Sequence, residues 1–140
     1  MKGLAHYQAN NWYSSTPSWS FEIVDHSYSG SWTWHDLGDK LPSLFDFLRQ
    51  MGRLTWQEIN ESLYRPKTKA AHSRNHAIPV AELAREARDR LEELGLGEID
   101  ELFVFRVDYA GRLWGVNIPD SPVFCILWWD GNHRVCPPSS

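Results

Sequence analysis

"VFCILWWD" (Val123–Asp130) decides how this 140-residue chain folds. An unbroken apolar run ends in two adjacent tryptophans and gives way to the turn "GNH" and the pair His133–Arg134. A run this short, bounded by turn residues, reads as a strand rather than a helix. Alternation puts Val123, Cys125, Leu127 and Trp129 on one face, and Phe124, Ile126, Trp128 and Asp130 on the other. Both faces are apolar, the signature of a central strand covered on two sides.

Two more strands precede it. "ELFVFRVD" (Glu101–Asp108) turns at "YAG" into "RLWGVNI" (Arg112–Ile118), and "PDSP" turns that strand into the last one. Phe103, Phe105 and Val107 share one face of the first, and Leu102, Val104, Arg106 and Asp108 share the other. Earlier, "SWSFEIVD" (Ser18–Asp25) alternates as a short strand. Asp39 and Pro42 open a helix whose stripe is Leu41, Leu44, Phe45, Leu48 and Met51, ended by Gly52. "TWQE" (Thr55–Glu58) has capping-box spacing and starts a short second helix. A third is predicted from Pro79 to Leu94, with Glu86 and Arg90 paired on its outer side and Gly95–Leu96 closing it in a Schellman end.

The order β-α-α-β-β-β, with one short extra helix, argues an α+β single domain: an antiparallel sheet with helices packed on one face. Residues 1–17 read as a flexible aromatic arm and residues 18–138 as the domain. The second sheet face then needs a cover: the arm, the Trp32/Trp34 loop, or a partner chain. Trp128, Trp32 and Trp34 are accordingly the candidate partner-binding residues.

The net charge of −4 does not suggest a surface coated for nucleic acid. Locally, however, "LYRPKTKAAHSRNHA" (Leu63–Ala77) holds Arg65, Lys67, Lys69 and Arg74 and no acid, and these are candidate nucleic-acid contacts. No run approaches a membrane span and no signal peptide is visible, so a cytoplasmic protein without membrane association is expected. In that compartment Cys125 and Cys136 read as packing residues. A zinc site from Cys125, His133 and Cys136 matches no familiar spacing, and a thiol nucleophile needs an exposed, acidic thiol. No cofactor is expected.

The chemistry-bearing set is Arg106, Arg112, His133 and Arg134. Arginine can stabilise charge building on a phosphorane, and histidine can move a proton to or from a 2′-hydroxyl. Aromatic side chains can stack splayed bases. The same four residues also suit a plainer role, arginines solvating a sheet face and a His–Arg pair closing a turn.

With this element order, the tail "VFCILWWDGNHRVC" resembles the RelE/ParE toxin superfamily, whose members end in a strand, a turn and an "HR" or similar pair followed by Val–Tyr. Here the matching residues are Val123 to Leu127, His133, Arg134 and Val135. Arg106 and "GRLWGV" (Gly111–Val116) fall where the family carries arginine on its middle strands. The tail also resembles an "LWWDxxHxVxP" ending of small uncharacterised bacterial proteins. The resemblance implies the toxin of a type II toxin–antitoxin pair, acting by metal-independent RNA cleavage, in some members on the ribosome, or by gyrase inhibition. It also implies a cognate antitoxin protein as partner. Cys136 stands where many ribonuclease members place tyrosine. A non-catalytic α+β module that binds a protein or nucleic acid remains the alternative. The oligomeric state is not legible from the chain.

Overall fold

The computed structural model describes residues 11–64, 72–73 and 75–137. Along the chain run β1 (Ser18–Ser20), α1 (Leu41–Met51), α2 (Trp56–Glu61), β2 (Leu63–Tyr64), β3 (His72–Ser73), β4 (Asn75–Pro79), α3 (Arg85–Glu93), β5 (Glu101–Arg106), β6 (Arg112–Asn117) and β7 (Val123–Asp130). The main sheet has the order β1-β7-β6-β5-β4, and β2 and β3 make a separate two-stranded ribbon. The protein is α+β, as its element pattern predicts.

Two details of the arrangement differ from that expectation. The sheet is mixed, because the edge strand β1 runs parallel to β7 while β4 to β7 pair antiparallel. The helices also divide between its faces. Leu44, Phe47 and Met51 of α1 and Trp56 and Ile59 of α2 pack with Phe103, Phe105, Leu113, Phe124, Ile126 and Trp129. Ala87 and Leu91 of α3 pack on the other face with Leu102, Val104, Trp114, Leu127 and Trp128. Sequence periodicity reports that a helix has one apolar stripe, not which side of a sheet receives it.

The decisive strand carries a bulge. Trp114 pairs with Trp128 but Gly115 pairs with Ile126, so Leu127 is the extra residue. The alternation therefore slips: Phe124, Ile126 and Trp129 share the α1 face, while Leu127 and Trp128 both look towards α3. The Leu127 carbonyl, lost to the ladder, accepts the Asp25 N–H at 3.0 Å and the Trp34 Nε1–H at 3.2 Å. Glycine is required opposite it, because a Cβ at Gly115 would collide with the Cys125 carbonyl and the Phe124 ring.

Helix limits follow local chemistry. Thr55 and Glu58 form the complete capping box of α2. The Leu96 N–H reaches the Leu91 carbonyl at 2.8 Å and Gly95 has φ 75°, a Schellman end for α3 as predicted. Its start lies later than predicted. Ile78 and Pro79 instead pair with Leu102 and Glu101 at the sheet edge, where a proline's missing N–H costs nothing. In α1 the buried residues are Leu44, Phe47 and Met51, whereas Leu41 and Phe45 stay exposed.

Ahead of β1, a 3-10 turn covers Asn11–Ser14, Trp12 packs against the core, and the Ser15 carbonyl accepts the Trp56 N–H at 3.0 Å. The first ten residues lie outside the described ones, as do Arg65, Lys67, Lys69 and Arg74 of the basic segment. Among the described residues no helix is long and apolar enough to cross a membrane.

Candidate functional site

Register brings the site together. Arg106 on β5 lies directly opposite Arg112 on β6, and Arg112 lies opposite Asp130 on β7. Residues opposed in register share a face, so the row Arg106–Arg112–Asp130 crosses the α3 side of the sheet at one end. Like charges placed opposite each other on a sheet are destabilising. Here two guanidiniums converge on one acceptor: Arg106 Nη2 and Arg112 Nη1 each donate to the Tyr109 carbonyl at 3.2 Å. Arg112 Nη1 also donates to the Asp108 and Gly111 carbonyls, which ties the β5–β6 turn to the start of β6.

Asp130, third in the row, is completely buried. Its carboxylate is spent on the chain that follows: it accepts the Arg134 N–H at 2.8 Å, the Val135 N–H at 2.9 Å and the Trp114 Nε1–H at 3.3 Å. These bonds fold the tail back over the end of β7 and fix His133 within it. His133 has φ 56°, the left-handed region that non-glycine residues enter at a cost. Asp120 does the same at φ 57°, but in the simple turn between β6 and β7.

His133 is electrically coupled to the row. Burial, then the Arg112 charge, hold its imidazole below the ordinary 6.5; Asp130 pulls the other way and Arg106 adds to the lowering. The ring is therefore neutral at pH 7 and able to accept a proton beside two cations. Three of the four predicted catalytic residues, Arg106, Arg112 and His133, thus form one group. Arg134 joins through its backbone N–H, while its side chain is exposed.

Two of the three predicted partner-binding tryptophans are a correction. Trp32 and Trp128 are 1% and 0% exposed and pack against each other with ring centroids 5.0 Å apart. Trp32 is the cover that seals Trp128 on the second sheet face, so neither is a surface awaiting a partner. Trp34 is half-buried on the opposite face, its indole N–H held by Leu127.

That cover is held by a polar clamp the sequence reading did not find. Asp25 is buried and accepts Arg90 Nε at 2.9 Å, Arg90 Nη2 at 2.8 Å and Trp128 Nε1 at 2.8 Å. Burial alone would raise its carboxyl, but the hydrogen bonds from Arg90 and Trp128 win and leave it below the ordinary 3.8. Beside it, Glu86 accepts the Tyr28 hydroxyl and both the N–H and hydroxyl of Ser31. Glu86 and Arg90 thus hold the loop rather than each other. The acid in "EIVDHS" was the available signal for Asp25, and Asp130 was visible as the one polar residue closing an apolar strand.

The Cys136 thiol is not activated. Cys136 Sγ lies 3.5 Å from the Glu82 carbonyl, and burial with the nearby Glu82 and Asp130 charges pushes its thiol up. Among the described residues no group of three or more His, Cys, Asp or Glu is placed to hold a metal ion. Comparison with protein-family models, with curated proteins and with solved structures gave no match.

Proposed function

We propose that the Arg106–Arg112–His133 group binds an RNA phosphodiester and cleaves it without a metal, in the manner of a RelE-like toxin. The observation that carries this reading is the like-charge pair Arg106/Arg112, in register on one face beside a histidine held neutral by burial and by those same charges. In the reaction, His133 takes the 2′-hydroxyl proton, the 2′-oxygen attacks phosphorus and the bond to the 5′-oxygen breaks; that oxygen takes a proton from water and leaves as a 5′-hydroxyl, the other product is a 2′,3′-cyclic phosphate, and the imidazolium returns its proton to the resulting hydroxide. Arg106 neutralises the charge that builds on the phosphorane oxygens. Arg112, largely occupied by backbone carbonyls, contributes charge and position.

The reading is tested with the purified protein and end-labelled RNA in the presence of a chelator. Cleavage to cyclic-phosphate ends is expected, with His133→Ala slower by about 10²–10⁴-fold, the usual worth of a general base. Arg106→Ala is expected to lose about 10²–10³-fold. Because the imidazole is held below 6.5, activity falls only as pH drops beneath that value and the base protonates. Growth arrest on expression that persists undiminished in both variants would sink the catalytic part.

The engagement of Arg112 by three carbonyls favours one other reading, a module that binds the phosphate and leaves it intact. RNA binding that weakens in Arg106→Ala, with no product formed, selects it.

A further inference from the structure

The face opposite the arginine row leaves apolar surface uncovered. Phe21 is 68% exposed, and Phe45 and Leu41 of α1 are 49% and 40% exposed; the three line one cavity. Between them opens a cavity of about 200 Å³ with Leu37 and Trp34 in its wall and Ile126 of the sheet in its floor. Its lining carries no polar group. A second, wider hollow of about 440 Å³ continues from it past Phe45 and Leu48 to Trp19, Arg49 and Arg53. The two form one trough along α1.

The trough is electrically polarised. The segment from Pro17 to Val24 runs antiparallel to α1, since Pro17 and Trp19 line the hollow at Arg49 and Arg53, while Phe21 and Val24 line the cavity at Leu41. Exposed Glu22 therefore lies towards the N-terminal end of α1. Asp36 and Asp39, also exposed, belong to the 3-10 turn Trp34–Lys40 that leads into the helix and forms that end's wall. Lys40 at the same end is turned to Asp108, 4.0 Å away. At the other end Arg49 is paired with Asp46 on the same helix at 2.7 Å and Arg53 follows it, so that end keeps a net positive charge while the first is acidic.

We propose that this trough is a self-association surface, in which two copies pack α1 against α1, antiparallel, about a two-fold axis beside Phe45. An isologous contact must be complementary to itself, and an acidic end opposite a basic end is what that symmetry demands. In this register Leu41 of one copy lies opposite Leu48 of the other, and the two Phe45 rings flank the axis. Asp36 and Asp39 then approach Arg53 and Arg49 of the other copy, Arg49 in the last turn of its α1 and Arg53 just beyond it. The 11 residues of α1 are about 16 Å long, so the contact falls at the small end of specific interfaces. The proposal is independent of the phosphodiester reading, because the arginine row lies on the other sheet face.

Sedimentation of the full chain from low micromolar to several hundred micromolar tests it. The mass should move from 16.3 kDa towards twice that value. Phe45→Asp should abolish the shift. Two charge variants sharpen the test: Asp36→Lys with Asp39→Lys, and Arg49→Glu with Arg53→Glu. Each alone should weaken association about tenfold or more, because its two ends repel. Mixed together, the two variants should associate with each other and not with themselves. Circular dichroism checks that each is folded, and if Phe45→Asp is not, Phe21→Asp carries the same test at a more exposed position. A parent that stays monomeric throughout, a dimer indifferent to these apolar replacements, or a mixture that fails to pair overturns the proposal.

Discussion

The two faces of the sheet are sealed by different means. On the α1 side the closure is aromatic: Phe105 meets Trp19, Phe47, Trp56, Phe103 and Phe124 with ring centroids between 5.0 and 6.0 Å apart. On the α3 side a loop lies over Trp128 and is tied down by Asp25–Arg90 and by Tyr28–Glu86. Apolar packing is non-directional and tolerates an open trough at its margin. Charge-assisted hydrogen bonds are directional and fix geometry. The site and the proposed interface therefore sit where each kind of closure suits them: an ordered row of arginines on the clamped side, an accommodating apolar surface on the other.

The sharpest way to break this contrast is on the aromatic side. Phe105 is fully buried at the centre of that cluster. Phe105→Ala should cost about 3–5 kcal/mol, from lost transfer energy plus the cavity left among rings that cannot collapse into it. Urea denaturation measures it. A loss under about 1 kcal/mol, against the usual range for such truncations, would mean that the aromatic closure repacks freely.

That cluster was largely legible in the chain. Phe103 and Phe105 share a face by simple alternation, and the predicted stripe of α1 includes the buried Leu44 and Met51, but it also takes in the exposed Leu41 and Phe45 and misses Phe47. What the sequence concealed were events that depend on distant residues. The bulge at Leu127 exchanges the faces of Trp128 and Trp129, and it is set by Gly115 on the neighbouring strand. The parallel pairing of β1 with β7 joins residues at opposite ends of the chain. Asp25 meets Trp128 across 103 positions, which no local pattern encodes. Of the candidate site, Arg106, Arg112 and His133 were legible as residue types on adjacent strands. Asp130 was visible only as a strand terminus, since its role appears once the tail folds back on it.

Next in size is the ionic clamp. Arg90→Ala leaves the Asp25 carboxylate, 1% exposed, with only the Trp128 indole, and should cost about 3 kcal/mol, the low end for a broken buried pair. Asp25→Ala should cost less, because the Arg90 side chain is 17% exposed and can recover water. The pH dependence has a definite sign. The Asp25 carboxyl is held below its ordinary 3.8, so the clamp's contribution is complete above that value and is lost as pH falls through the lowered one. The thermal midpoint of the parent should therefore fall more steeply than that of Asp25→Asn below about pH 4. Parallel slopes would show that Asp25 is not ionised in the clamp.

The smallest expected effect isolates the second tie on the same side. Glu86→Gln keeps the shape but removes the charge that receives Tyr28 and Ser31, and should cost about 1 kcal/mol. Its value lies in where the loss appears. Burial and the Glu86 bond together hold the Tyr28 hydroxyl above its ordinary 10.0, so in the variant its titration, followed by ultraviolet absorbance, should move down towards that figure. Amide exchange should quicken around Ser31 while the backbone beside Phe105 keeps its protection, because the clamp and the aromatic cluster lie on opposite faces. Equal loss of protection on both faces would show that the sheet transmits the change and that the two closures act as one.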